Sequence, residues 1–304
     1  MILASRNFRD MLGNDNFEEG QTLRTQGAVE VPLPEDDPGA FILLLHIIHA
    51  TTRKVPRHVC LSTLTALAIL VDKYSLLEAV ELFSDLWIDN VKDEEPMPES
   101  FTDDVPSWLM ISWVFQKPVE FKAMSRIIEQ ECDERLEDMF GDDLPVFPFI
   151  IGRSFYFVHG QSNLTNFGLE TLKSYREKAI ESAINVMHDL ITKYSNPDKL
   201  LCPHQNENTR FSCDALVLGA LLKGCISIRI WPKPAAPYPG LIFKNLVSQI
   251  RGLKLPDICT GITGRRNPIY ECHGNRAFIE KEMEALENGM CGLDLEDFLP
   301  KKTA

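Results

Sequence analysis

No apolar run in this chain of 304 residues approaches the roughly 18–20 residues that a helix needs to cross a bilayer. A membrane partner is therefore not expected. The opening residues Met1-Ile2-Leu3-Ala4-Ser5-Arg6 turn polar too soon for a secretory signal. Asn163-Leu164-Thr165, formally a glycosylation sequon, is then without an expected use. Positive charge is also short: 31 Lys and Arg against 44 Asp and Glu leave a formal net charge of −13. Nonspecific nucleic-acid binding needs clustered cations that displace phosphate counterions, so no direct nucleic-acid partner is expected. Eight cysteines in a chain this long do not make a disulfide scaffold. They point to a reducing compartment, cytoplasmic or nuclear.

Catalytic signatures are missing too. The chain has no G-x-S-x-G elbow, no Walker-type loop, no H-E-x-x-H pair and no dinucleotide glycine fingerprint. The stretch 261–266, GITGRR, offers a small anion nest at most and reads more simply as a basic turn. The paired acids Asp36/Asp37 and Asp142/Asp143 are accounted for as helix-start and loop residues. Internal repeats are absent. The expectation is that the protein is not an enzyme.

What remains is ordinary globular material, 44% hydrophobic and 25% charged, with ample substance for a core. Its most informative stretch is 31–50, VPLPEDDPGAFILLLHIIHA. Residues 30–33 form a strand candidate. Asp37-Pro38 is a helix start, because Asp caps free amides and Pro at the first helical position forfeits no hydrogen bond. The helix that follows is apolar almost all round, which predicts burial inside a domain.

Helical spacing recurs along the chain. Leu3, Phe8, Met11 and Leu12 mark a first helix. Leu61 to Val71 and Leu76 to Trp87 mark two more around an Asp72-Lys73-Tyr74-Ser75 hinge. Residues 121–140 predict an amphipathic helix and 168–194 a long one, ended by Asn196-Pro197. Residues 213–224 predict a short buried helix and 275–288 the last. Residues 144–149, LPVFPF, read as extended. Residues 93–106 are acidic and carry prolines, as exposed connectors do. The predicted organisation is a domain over 1–92, a linker over 93–106 and a helical domain over 107–304. The fold class is mainly α, with α+β character at the N-terminus.

Four stretches, LASRNFRDML (3–12), FEEGQ (17–21), 31–50 and LAILVDKYSLLEAVELF (67–83), together resemble the BTB/POZ domain in its filamentous-fungal form. The resemblance implies a partial BTB/POZ fold that begins inside the domain, since the strand–helix–strand segment expected ahead of Leu3 is not in this chain. Residues 213–224, 231–240 and the closing CGLDLEDF resemble the C-terminal region attached to many fungal BTB proteins. A noncatalytic protein–protein interaction module follows from this likeness. Its two specific versions are an adaptor for a cullin-type ubiquitin ligase and a transcription-associated oligomer. Its partners would be other proteins, through self-association or a cullin scaffold. In such adaptors a hydrophobic–x–Glu motif meets a cullin helix, a role that falls here on Phe17 and Glu19. The surrounding partner surface would include His49 and Tyr74.

A second candidate site is chemical. Thiolate and imidazole ligands suit tetrahedral zinc, and Cys202, Cys213 and Cys272 with either His204 or His273 form a candidate set, with His273 the expected imidazole. Against it, no CxxC or HxxxH pair gives the tight spacing usual in zinc knuckles, and Cys213, Cys225 and Cys291 are better explained as buried thiols acting as small hydrophobes. No other cofactor is expected. If the metal reading holds, the alternative to an interaction module is a zinc-stabilised helical domain with a vestigial BTB segment. The proline-rich 231–240, WPKPAAPYPG, is either a peptide-docking ridge or a rigid strap on its own domain.

Overall fold

The structure, a computed structural model, describes residues 4–13, 17–132, 165–255 and 273–299. It divides into two units. The first takes the described residues up to Ser125 together with 292–299. The second takes 126–132, 166–255 and 273–291.

In the first unit, α1 (Arg6–Gly13) and α2 (Glu18–Gln26) lead to α3 (Pro38–Ile48). The start of α3 is as the sequence predicts: the Asp37 carboxylate accepts the Ala40 amide hydrogen at 2.6 Å, with Pro38 in the first turn. Its burial differs from the all-round burial expected. Ala40, Leu44 and Ile47 form one buried stripe, while Ile42 is 52% exposed. The strand expected over 30–33 is not formed, and no strand occurs among the described residues. Pro32 and Pro34 supply no amide hydrogens there, which removes the donors that a strand ladder would use. The described residues are mainly helical, and the N-terminal α+β character is not shown among them.

The centre of this unit is α4 (Leu61–Tyr74), packed against α3, α5 (Leu77–Glu94) and α6 (Asp104–Val114). Leu64, Leu67, Leu70 and Val71 are its core face. Trp87 of α5 and Trp108 of α6 are also fully enclosed. Burying a large apolar side chain of this kind is worth roughly 2–3 kcal/mol, and the indole of Trp87 further donates to the Pro56 carbonyl at 2.8 Å. The expected linker over 93–106 is shortened at both ends, and residues 95–103 remain an irregular connector with no buried residue. Helix α5 runs on to Glu94, α6 begins at Asp104, and Val105 and Pro106 are buried. The first unit therefore continues well past residue 92, because the apolar face of α4 needs α6 to cover it. Helix α7 (Pro118–Glu131) belongs to this unit as far as Ser125. It is shorter than the 121–140 expected; residues 133–140 lie outside those described, as do 144–149, Gly261 to Arg266, Asp142, Asp143, Asn163 and Cys259.

Residues 292–299 return to α7. Leu293 donates its amide to Ser125 Oγ at 2.8 Å, Lys122 pairs with Asp294 at 2.6 Å, and Trp113, Phe121 and Phe298 meet ring to ring.

The second unit is built on α8 (Thr165–Tyr194), whose stripe of Leu172, Ile180, Ala183, Ile184, Met187, Leu190, Ile191 and Tyr194 is buried as its spacing predicts. Helix α9 (Glu207–Ser227), α10 (Phe243–Arg251) and α11 (Asn275–Gly289) close the core with Val217, Leu221, Val247, Ile250, Ile279 and Met283. A bidentate pair from Arg251 to Glu287, 2.8 Å at each contact, ties α10 to α11.

Candidate partner groove and candidate metal centre

Three of the sequence motifs come together around Tyr74. Ser5 Oγ donates to the Tyr74 carbonyl at 2.6 Å, Phe8 stacks on the Tyr74 ring at 4.7 Å, and Phe41 meets it edge-on at 5.8 Å. Asp36 accepts from Lys73 Nζ at 2.6 Å and from the Tyr74 hydroxyl. Tyr74 is therefore buried and its polar end is spent inside the fold, so it does not offer the partner surface expected of it. The physical reason lies in the end of α4, where left-handed Ser75 (φ 52°) turns the chain and leaves Tyr74 facing α1 and α3.

Phe17 and Glu19 fare differently. Phe17 precedes α2 and is 36% exposed. Glu18 and Glu19 occupy the first turn, where the helix dipole favours negative charge. The fully buried residue of α2 is Gly20 alone, so the helix presents most of its surface. Glu18, Glu19 and Thr22 line one wall of an open groove, and Val29, Glu30 and Pro32 line the other. This groove is acidic and lies beside Phe17 in sequence. His49 ends α3 and is exposed.

The second candidate site lies wholly in the second unit. Cys202, Cys213 and His273 place their ligand atoms within 4.8 Å of one another. Both cysteines are fully buried, and the His273 side chain is 5% exposed. Cys213 Sγ is 3.2 Å from His273 Nε2. Three of the four residues named from the sequence thus meet; the fourth, Cys272, lies outside the described residues. His204 is not part of the cluster, since its Nδ1 accepts the Asn206 amide at 3.1 Å within its own loop.

The supports of this cluster were not named from the sequence. Asp214 accepts the Leu201 amide at 2.6 Å on Oδ2 and the Cys202 amide at 3.0 Å on Oδ1. Arg210 donates to the Cys202 carbonyl at 2.8 Å and the Leu200 carbonyl at 2.9 Å. Both come from the N-terminal half of α9, which starts six positions before the predicted residue 213. The missed signal is Asn206, whose side chain caps the Thr209 amide at 3.1 Å ahead of Glu207. Tyr194 adds a ring edge to the His273 imidazole at 5.4 Å and accepts from Asn275 at 2.7 Å.

A thiol beside an imidazole and a carboxylate also calls for comparison with a nucleophilic triad. There the carboxylate would orient the imidazole through the nitrogen remote from the thiol. Here Asp214 Oδ1 lies 3.8 Å from the same Nε2 that meets Cys213. Cys213 is moreover closed to solvent, so the arrangement serves poorly as a nucleophile and well as a ligand set.

The other described cysteines divide by environment. Burial pushes the Cys225 thiol up to about 11, which keeps it protonated. Cys291 is exposed, unlike the apolar setting expected of it, and donates to the Asn288 carbonyl at 3.0 Å. Cys60, exposed ahead of α4, is drawn down to about 7 by the Ser62 and Thr63 hydroxyls.

Residues 231–240 form a strap along α8. His188 stacks on Trp231 at 4.8 Å, and Lys233 reaches Glu181 at 3.1 Å and Asn185 at 2.7 Å. Among the described residues no helix is long and apolar enough to cross a membrane. Compared with known protein families, with curated proteins and with solved structures, the chain matches none.

Proposed function

We infer that this chain is a noncatalytic protein-interaction protein whose first unit is a partial BTB/POZ-type module acting as an adaptor for a cullin-type ubiquitin ligase. The observation that carries the reading is the exposed Phe17 at the head of α2, with Glu19 on the wall of the adjoining acidic groove. That pairing suits a partner helix with an apolar pocket and basic flanks: Phe17 supplies the buried anchor and the carboxylates the charge complementarity. The meeting of the 3–12, 31–50 and 67–83 stretches around Tyr74 is consistent with this reading, since the three stretches that carry the likeness pack together. The protein would work in a reducing compartment, cytoplasmic or nuclear.

The test is capture of a purified cullin by the full chain, compared with Phe17→Ala and Glu19→Ala. Both positions are surface positions, so the fold is expected to survive each change. Loss of most of the captured cullin in each variant is the expected result. Equal capture by wild type and the double variant removes the groove from the interaction.

A further inference from the structure

The geometry points to a zinc site in the second unit, formed by Cys202 Sγ, Cys213 Sγ and His273 Nε2, independent of the groove in the first. Two thiolates and an imidazole are a borderline-soft donor set. Such a set favours zinc over magnesium or calcium, which prefer oxygen ligands. At zinc–sulfur and zinc–nitrogen distances of about 2.3 and 2.0 Å, tetrahedral neighbours lie roughly 3.5–3.8 Å apart. The three ligand atoms lie within 4.8 Å of one another, with one contact at 3.2 Å. Adjustments of about 1 Å convert one arrangement into the other.

The surroundings are built to hold these ligands rather than merely to bury them. Cys202 sits on a loop whose backbone is grasped at both of its polar groups. Its amide is bound by Asp214 and its carbonyl by Arg210. Both anchors belong to α9, the helix that carries Cys213, so the two sulfurs are kept in register by one local element. His273 arrives from a distant part of the chain, immediately before α11, and Tyr194 packs against its ring. Asp214, with both oxygens engaged by amides, stands 3.8 Å from the imidazole nitrogen as an outer-shell carboxylate. A metal here links the loop before α9, α9 itself and the entry to α11, and so closes a long chain loop. Three protein donors leave one tetrahedral position for a fourth donor, and the burial of Cys202, Cys213 and His273 favours a structural role over a catalytic one.

The experiment uses the full chain, reduced and freed of metal, and titrates it with zinc under a competing chelator. One zinc per chain is expected, with affinity falling at least tenfold in Cys213→Ser and in His273→Ala, while His273→Cys retains the site. Cobalt substitution of the unmutated chain supplies a readout that no variant's folding can spoil. Thiolate-to-cobalt charge-transfer bands and strong tetrahedral d–d bands are expected. Failure of the reduced wild-type chain to bind zinc at micromolar free metal overturns the site. So does cobalt binding without thiolate bands, or unchanged affinity in Cys213→Ser and His273→Ala.

Discussion

Arg176 Nη2 lies 2.7 Å from the carbonyl oxygen of Leu241, and the same guanidinium reaches the carbonyls of Cys132, Pro237 and Tyr238. The residue is 2% exposed. A planar fork of donors satisfies several buried carbonyls at once, which no other side chain does. Arg176 is thus what holds the end of the proline-rich strap to α8. Arg176→Lys keeps the charge but loses the fork, leaving buried acceptors without donors. We expect it to cost about 2–4 kcal/mol in urea-induced unfolding. A cost under about 0.5 kcal/mol would mean that apolar packing alone holds the strap.

Asp72 predicts a pH dependence. Burial raises its carboxyl from the ordinary 3.8 to about 7, so between those limits the folded chain keeps a proton that the unfolded chain has released. Stability linked to Asp72 is then fully present below about pH 4, declines as pH rises, and is lost above about pH 7. The total is on the order of 2–4 kcal/mol. Asp72→Asn, which mimics the protonated form, is expected to flatten this slope and to melt higher than wild type at pH 8. If wild type and Asp72→Asn show the same difference in melting temperature at pH 4 and pH 8, the carboxyl does not titrate in this window.

Gly292 tests the return of the chain to α7. Its φ is +78°, and an added Cβ would stand 2.1 Å from the Lys122 carbonyl oxygen. Neither constraint can be relieved by a side-chain rotation, because the obstacle is backbone. Gly292→Ala is expected to destabilise by roughly 2–4 kcal/mol and to free residues 292–299. Trp113 emission should change as Phe298 leaves it, and limited proteolysis should trim the terminal segment first. Wild-type emission and protease resistance in the variant would contradict this placement.

Much of the helical layout was legible before any coordinates. The α8 stripe from Leu172 to Tyr194 repeats at helical spacing, and Asp37-Pro38 announces α3 because capping is a local event. Local signals also misled. Residues 30–33 carry strand-like apolar alternation, but a strand needs a neighbour, and none is supplied among the described residues. The acidic 93–106 is a connector only over 95–103, since α6 is drawn in at Asp104 where the core face of α4 requires a cover. At the Cys202, Cys213 and His273 cluster the residue types were legible while their supports, Asp214 and Arg210, were not, since their role depends on a loop closing back on α9.

The sequence by itself determined where the most strongly patterned helices lie, which of their faces are apolar, and which cysteines and histidines were available as ligands. These properties depend on residues a few positions apart. Only the tertiary structure decided that Tyr74 is enclosed by Phe8, Phe41 and Asp36 while Phe17 stays partly exposed. It alone chose His273 over His204 and brought it to Cys213 across 60 positions of chain. Such contacts arise from packing between remote helices, and no short-range pattern encodes which remote faces will meet.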